Sequence, residues 1–199
     1  MKAFVPFLLG LSLLGSAAQA AVKQRKPKGK ELALVKQALQ GKQPIAKKTL
    51  HVSAMKGTGT FFFTPVMDFA ATPPLQLHLI QNGKILHTLA APPGDKRWPI
   101  LRFEGVLFKD VNGDGFEDVV TLTRYMPVKG PQKDQAFNQA ALYLSREGKS
   151  FELLTGEVHD ALNTEPPPPS LGEVQKRLKK LGKQKLALPA QSSSGAAKP

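Results

Sequence analysis

The sequence predicts a mainly β fold: an antiparallel, β-propeller-like or sandwich-like single domain with short N- and C-terminal helices. Three observations predict it. Runs rich in β-branched and aromatic residues recur from Ile45 onward. Asn82-Gly83 stands between two such runs, and Asn-Gly is the strongest short-range hairpin signal. A Gly-rich acidic loop, residues 110–118, joins two more.

Residues 1–20 read as an export signal. Lys2 gives the positive start, residues 4–14 the apolar stretch, and Ala18-Gln19-Ala20 the small-residue cleavage site. The apolar run is too short to span a bilayer, and no other candidate follows it. No Cys flanks the cleavage site to take a lipid, so the expected mature chain begins at Ala21, in the periplasm or outside the cell, with no transmembrane segment. The chain has no Cys at all, so no disulfide can brace it in an oxidising compartment.

The formal net charge is +13, and its distribution matters more than its size. Residues 31–170 hold 15 Lys and Arg against 14 Asp and Glu. The excess lies in residues 21–30, read as a basic disordered arm, and in residues 170–185, read as a basic amphipathic helix. A β-rich domain over residues 31–165 is thus nearly neutral. A basic surface of this kind attracts an anionic envelope polymer or a protein partner. It also binds nucleic acid without sequence preference; export and the neutral centre argue against a specific nucleic-acid role.

Within the domain, residues 31–40 read as a helix with Leu32, Val35 and Leu39 on one face, ended by Gly41 and Pro44. Residues 49–55 and 59–64 read as strands, the Phe61-Phe62-Phe63 run being core. Residues 75–81 and 84–89 form the hairpin. A two-residue loop sets Gln81 opposite Lys84 and His78 opposite His87, with Leu75, Leu77, Leu79 and Leu86 facing inward. Facing histidines can share a transition metal, but no third ligand stands nearby, and a solvated or hydrogen-bonded pair is the alternative. Residues 126–138 read as a polar, turn-rich loop, and residues 139–144 and 149–154 as a second hairpin. Pro166 to Pro169 reads as a stiff polyproline linker. Ser170 and Glu173 fit a capping box ahead of a stripe of Leu171, Val174, Leu178 and Leu181 that suits docking on the domain, with a membrane surface as the alternative. Residues 186–199 read as a disordered tail.

The loop carries the chemistry. Asp110-Val-Asn-Gly-Asp-Gly-Phe-Glu-Asp118 presents oxygen at alternate positions: side chains of Asp110, Asn112, Asp114 and Asp118, and the backbone carbonyl of Phe116. Hard oxygen donors on a flexible loop suit one Ca²⁺ better than Mg²⁺, and Gly115 sits where the chain must turn sharply. It is not an EF-hand: position 12 is Thr121, not Glu, and both flanks read as strands. The alternative is a bare turn with solvated acids. There the three aspartates would repel one another with no cation to compensate them.

Residues 108–120, followed by Ala141-Leu-Tyr-Leu144 and Gly148-Lys-Ser-Phe151, resemble bacterial secreted proteins with FG-GAP/VCBS-type calcium loops. More narrowly the pattern is similar to a periplasmic, β-propeller-like group that includes some lysozyme inhibitors, in which a hairpin similar to residues 82–89 precedes the loop. The resemblance implies a β-rich domain with Ca²⁺ at Asp110, Asn112, Asp114, Phe116 and Asp118. Several such inhibitors use an exposed S-G-x-x-Y segment; the Ser-Gly beyond the leader here, Ser194-Gly195, has no Tyr after it. The expected function is an exported calcium-binding, non-enzymatic binding module of the cell envelope, with inhibition of a cell-wall hydrolase as the alternative and an exported hydrolase a weaker one. Against an enzyme, the chain lacks G-x-S-x-G, H-E-x-x-H and any Cys nucleophile, and His159-Asp160 is a lone pair.

Overall fold

A computed structural model describes residues 22–92, 98–129 and 133–186. The expected leader (residues 1–20) and residues 187–199 of the expected tail lie outside the described residues. The elements run β1 (Lys23–Arg25), α1 (Gly29–Leu39), β2 (Leu50–Met55), β3 (Gly59–Met67), β4 (Leu75–Gln81), β5 (Lys84–Leu89), β6 (Ile100–Lys109), β7 (Asp118–Tyr125), β8 (Phe137–Arg146), β9 (Ser150–Leu153), α2 (Glu157–Asn163) and α3 (Leu171–Leu181). The first five strands form one antiparallel sheet in chain order, and the last four form a second. The fold is mainly β and sandwich-like; two sheets sharing one apolar layer do not show a propeller.

Three apolar layers hold these elements together. Between the sheets, Val52, Met55, Phe61, Phe63, Leu77 and Leu79 of the first meet Phe103, Phe108, Val119, Ala141 and Tyr143 of the second. The rings interlock across the layer: Phe61 with Phe108 at 5.7 Å and Phe63 with Phe108 at 5.6 Å, both edge-on. Behind the first sheet, Phe62, Val66 and Ile80 pack on Val35, Ala38 and Leu39 of α1. Behind the second, Val120, Leu122, Leu142 and Leu144 pack on Leu162 of α2, on Val174 and Leu178 of α3, and on Leu186. Each sheet is therefore covered on both faces. This explains the unbroken Phe61-Phe62-Phe63: successive side chains point to opposite faces, and both faces are core.

Three sequence expectations change. Residues 21–30 are not an unstructured arm. Lys23–Arg25 pairs with β2 as an edge strand, Lys23 opposite Ser53 and Arg25 opposite His51, and α1 begins at Gly29. All three strand residues are exposed, so their charges meet no burial cost, and a short charged edge is a common way to end a sheet. Arg25 grips Glu31 with two bonds of 2.5 and 2.7 Å, and this guanidinium, with the Lys28 N–H, holds the Glu31 carboxyl down at about 2. The Pro166–Pro169 segment, expected as a stiff linker, is bonded to the domain rather than spanning between parts of it. Asn138 Nδ2 donates to the carbonyls of Pro168 and Pro169, and Arg177 donates to that of Pro166. The capped helix is observed over α3, with Ser170 Oγ accepting the Glu173 N–H at 3.3 Å and the apolar stripe docked on the second sheet. Leu186, expected to begin the tail, is buried.

Candidate metal centre

β6 ends at Lys109 and β7 starts at Asp118, and these two residues pair, so the acidic loop is closed at its base by the sheet itself. Gly113 (φ +81°) and Gly115 (φ +86°) take left-handed conformations that side chains rarely adopt. The alternating oxygens fold back on the loop's own backbone. Asp110 accepts the Gly113 N–H at 2.6 Å and the Gly115 N–H at 3.0 Å. Asn112 Oδ1 accepts the Asp114 N–H at 3.1 Å, and Asp114 Oδ1 the Phe116 N–H at 2.8 Å. Asn112 Nδ2 donates to Asp114 Oδ2 at 2.9 Å. Asp118 reaches further: Oδ2 accepts the Val111 N–H at 2.9 Å and Oδ1 the Ser145 N–H at 2.8 Å.

Among the described residues no three His, Asp or Glu side chains are drawn together as a metal-ligand group. The loop's donors are hard carboxylate and amide oxygens, the type that hard cations take. An ionised carboxylate has about four lone-pair sites. One N–H per oxygen leaves acceptor capacity on Asp110 and Asp118, and the bonds that hold the side chains also orient them. Phe116, expected to offer its carbonyl, has its N–H fixed by Asp114 and its ring under Lys56, whose Nζ sits 4.5 Å from the ring centroid.

Asp118 is the buried member. It has no exposed surface, and burial pushes its carboxyl up to about 7; the nearby charges of Asp114 and Asp110 add to the rise, and the hydrogen bonds from Val111 and Ser145 oppose it. Two ammonium groups flank the loop. A Cβ on Gly113 would lie 2.5 Å from Lys183 Nζ, and one on Gly115 would lie 3.2 Å from Lys56 Nζ.

The sequence reading missed what lies around the loop. Glu117 is buried, and its Oε2 accepts the Lys56 N–H at 2.8 Å from the turn between β2 and β3. That turn meets the turn between β8 and β9 backbone to backbone. A Cβ on Gly57 would stand 2.2 Å from the Glu147 carbonyl oxygen, and one on Gly148 would stand 2.6 Å from the Gly57 Cα. Thr58 Oγ1 donates to the Gly148 carbonyl at 2.9 Å, and Ser145 Oγ accepts the Gly148 N–H at 2.8 Å. Glu117 and Asp118 thus tie the loop to both sheets at one end of the sandwich. The two Lys-Gly and Glu-Gly turns were the available signal.

The facing histidines are a correction. Gln81 pairs with Lys84 and Ile80 with Ile85 as expected, but a bulge follows, so Leu79 pairs with His87 and His78 with Thr88. The extra residue is Leu86, half exposed rather than inward, and it swings His87 to the face opposite His78. His87 packs edge-on against Phe151 of the other sheet at 5.5 Å. His78 is buried, with Nδ1 2.9 Å from Thr88 Oγ1. They cannot share a metal. His159 lies on α2 with Nε2 3.1 Å from Gln139 Nε2, while Asp160 is exposed on the same helix.

No protein-family model matches the chain, and neither curated proteins nor solved structures give a match.

Proposed function

We propose that this chain is an exported, non-enzymatic binding module of the cell envelope, built round one structural Ca²⁺ held by Asp110, Asn112, Asp114, the Phe116 carbonyl and Asp118. The supporting observation is Asp118, a fully buried carboxylate at the meeting point of the loop and the second sheet, with two more aspartates in the same nine-residue loop. When bound, a divalent cation supplies the positive charge that lets Asp118 ionise without solvent. The chain's own residues do the rest. Glycine at 113 and 115 lets the loop fold tightly, Asp118 transmits its position to Ser145, and Glu117 transmits it to Lys56. Binding to the folded state alone adds to folding stability, which suits a domain without Cys. Among the described residues no helix is long and apolar enough to cross a membrane.

The test is a calcium titration followed by calorimetric melting. The melting temperature is expected to rise with calcium for the wild type and to stay nearly constant for Asp110→Ala. A wild type whose melting does not respond to millimolar calcium would overturn the reading.

A further inference from the structure

At the other end of the second sheet from the acidic loop, where β7 finishes and β8 begins, lies a cleft of about 510 Å³. That volume is in the range of ligand-binding pockets, about 300–1,000 Å³. Its walls differ in chemistry. One is aromatic: Trp98 and Phe137 meet edge-on at 5.0 Å, and Phe137 stacks on Tyr125 at 5.9 Å. The other carries Arg124 at the end of β7 and Glu165 beyond α2. Of the five arginines among the described residues, Arg25, Arg102, Arg146 and Arg177 each hold a carboxylate. Arg124 holds none, and Glu165 has no ion pair or hydrogen bond with any described residue.

The frame between these walls is fixed. Asn163 clasps Ala140 through Oδ1 at 2.7 Å and Nδ2 at 3.0 Å. Asn138 is about nine-tenths buried, donates through Nδ2 to two proline carbonyls at 3.2 Å, and leaves Oδ1 without a partner among the described residues. A cleft framed by these bonds, whose Arg124 and Glu165 side chains hold no partner among the described residues, is prepared for a ligand, because little ordering of that frame remains to oppose binding.

We propose that this cleft binds an acidic saccharide: a sugar ring lying on Trp98, its carboxylate on the Arg124 fork and its hydroxyls donating to Glu165. Each part of the ligand answers one wall. The C–H face of a pyranose packs on an aromatic ring. A guanidinium matches a carboxylate in two parallel hydrogen bonds. Glu165, as an acceptor, selects hydroxyls. The chain's excess positive charge attracts anionic polymers to its surface. An extended peptide fits less well, since the rim is proline-rich and proline has no N–H to donate to a peptide backbone. This inference names a ligand class for the binding module proposed above, but it does not need calcium in the loop.

The test is calorimetric titration of the full chain, in calcium and 0.15 M salt, with trigalacturonic acid, neutral maltotriose and a decaproline peptide. Trigalacturonate is expected to bind, maltotriose at least about tenfold more weakly. Arg124→Gln should weaken trigalacturonate binding about tenfold or more, and Trp98→Ala by a similar factor. Lys179→Gln/Lys180→Gln, away from the cleft, should bind as the wild type. Arg124→Lys, which keeps the charge and loses the fork, covers the case in which Arg124→Gln melts early, and should also weaken binding. No binding of trigalacturonate, unchanged binding in the Arg124 and Trp98 variants, loss in the lysine variant, or preferential binding of decaproline would each overturn the proposal. A failed titration beside a normal calcium-dependent rise in melting temperature would refute the cleft and leave the calcium reading standing. The converse pair of results would do the opposite.

Discussion

Asp118 and Ser145 are joined across the second sheet: a carboxylate oxygen that begins β7 accepts, at 2.8 Å, a backbone N–H near the end of β8. The other oxygen holds Val111. Asp118→Ala would leave two N–H groups unsatisfied, each costing about 1–3 kcal/mol. The expected loss is about 2–4 kcal/mol in urea unfolding even in chelator, partly offset by removal of a buried carboxyl. Asp114→Ala, on the exposed side of the loop, should lose little in chelator and more in calcium. Equal losses for both variants in chelator would show that Asp118 does not anchor the loop.

The contact between the two glycine turns yields a second expectation. Gly57 has φ +78°, and an added Cβ would fall 2.2 Å from a carbonyl oxygen that is backbone and cannot rotate away. Gly57→Ala should therefore destabilise by about 2–4 kcal/mol, combining overpacking with left-handed strain. Gly41→Ala is the control for strain alone, since nothing lies within 4 Å of its Cβ. Thermal melting of both variants should place Gly57→Ala clearly lower.

Acid should weaken the fold through its histidines. Burial holds His78 below the ordinary histidine value, aided by the charge of Lys42, and burial alone does the same to His87. The unfolded chain titrates near about 6.5. Below that pH it binds protons that the folded state refuses, so stability present above it is lost as pH falls toward the folded values. Asp118, pushed up to about 7, acts in the opposite sense over this window because its folded form takes up a proton first, so the histidine contribution is read as a difference: between pH 7.5 and 5.5 the urea midpoint of His78→Gln should fall less, or rise more, than that of the wild type. A variant with the wild-type slope would assign the acid sensitivity elsewhere.

α3 is held by packing and by one clamp. Leu178 is 6% exposed against the second sheet, and Leu178→Ala should cost about 2–5 kcal/mol. Arg177 donates to the carbonyls of Leu162, Thr164 and Pro166 at 3.0, 2.8 and 2.6 Å, so Arg177→Ala should raise amide exchange in residues 162–165 before it affects either sheet. Uniform exchange throughout the chain would contradict a local role.

Much of the sheet structure was legible because its signals are local. Asn82-Gly83 fixes a hairpin turn whatever surrounds it, and alternation or β-branching marked each flank of the acidic loop. The bulge at Leu86 was not legible, because no local pattern marks it; in the fold it turns His87 onto Phe151 of the other sheet. Helix α2 was missed for a like reason: it has seven residues, and Asn163 pins its end to Ala140 rather than capping it in sequence. The edge strand at Lys23–Arg25 looked like a solvated charge run because an exposed strand and a free arm share one composition. For the loop, spacing revealed the side chains that face its own backbone. Ser145 and Lys56, which connect it to the rest, are 27 and 61 residues away from their acidic partners, and no local pattern names them.

The order in which the layers occur along the chain sets a constraint on biogenesis. α1 precedes β3 and β4, the strands it packs on, so the first sheet can close as it is made. The second sheet is complete at Leu153, whereas Leu162, Val174, Leu178 and Leu186, which cover its rear face, come later. Until they emerge, Val120, Leu122, Leu142 and Leu144 form a bare apolar ribbon face. A nascent chain is then a natural client for a holdase, and this vulnerability ends only when the final helix swings into place.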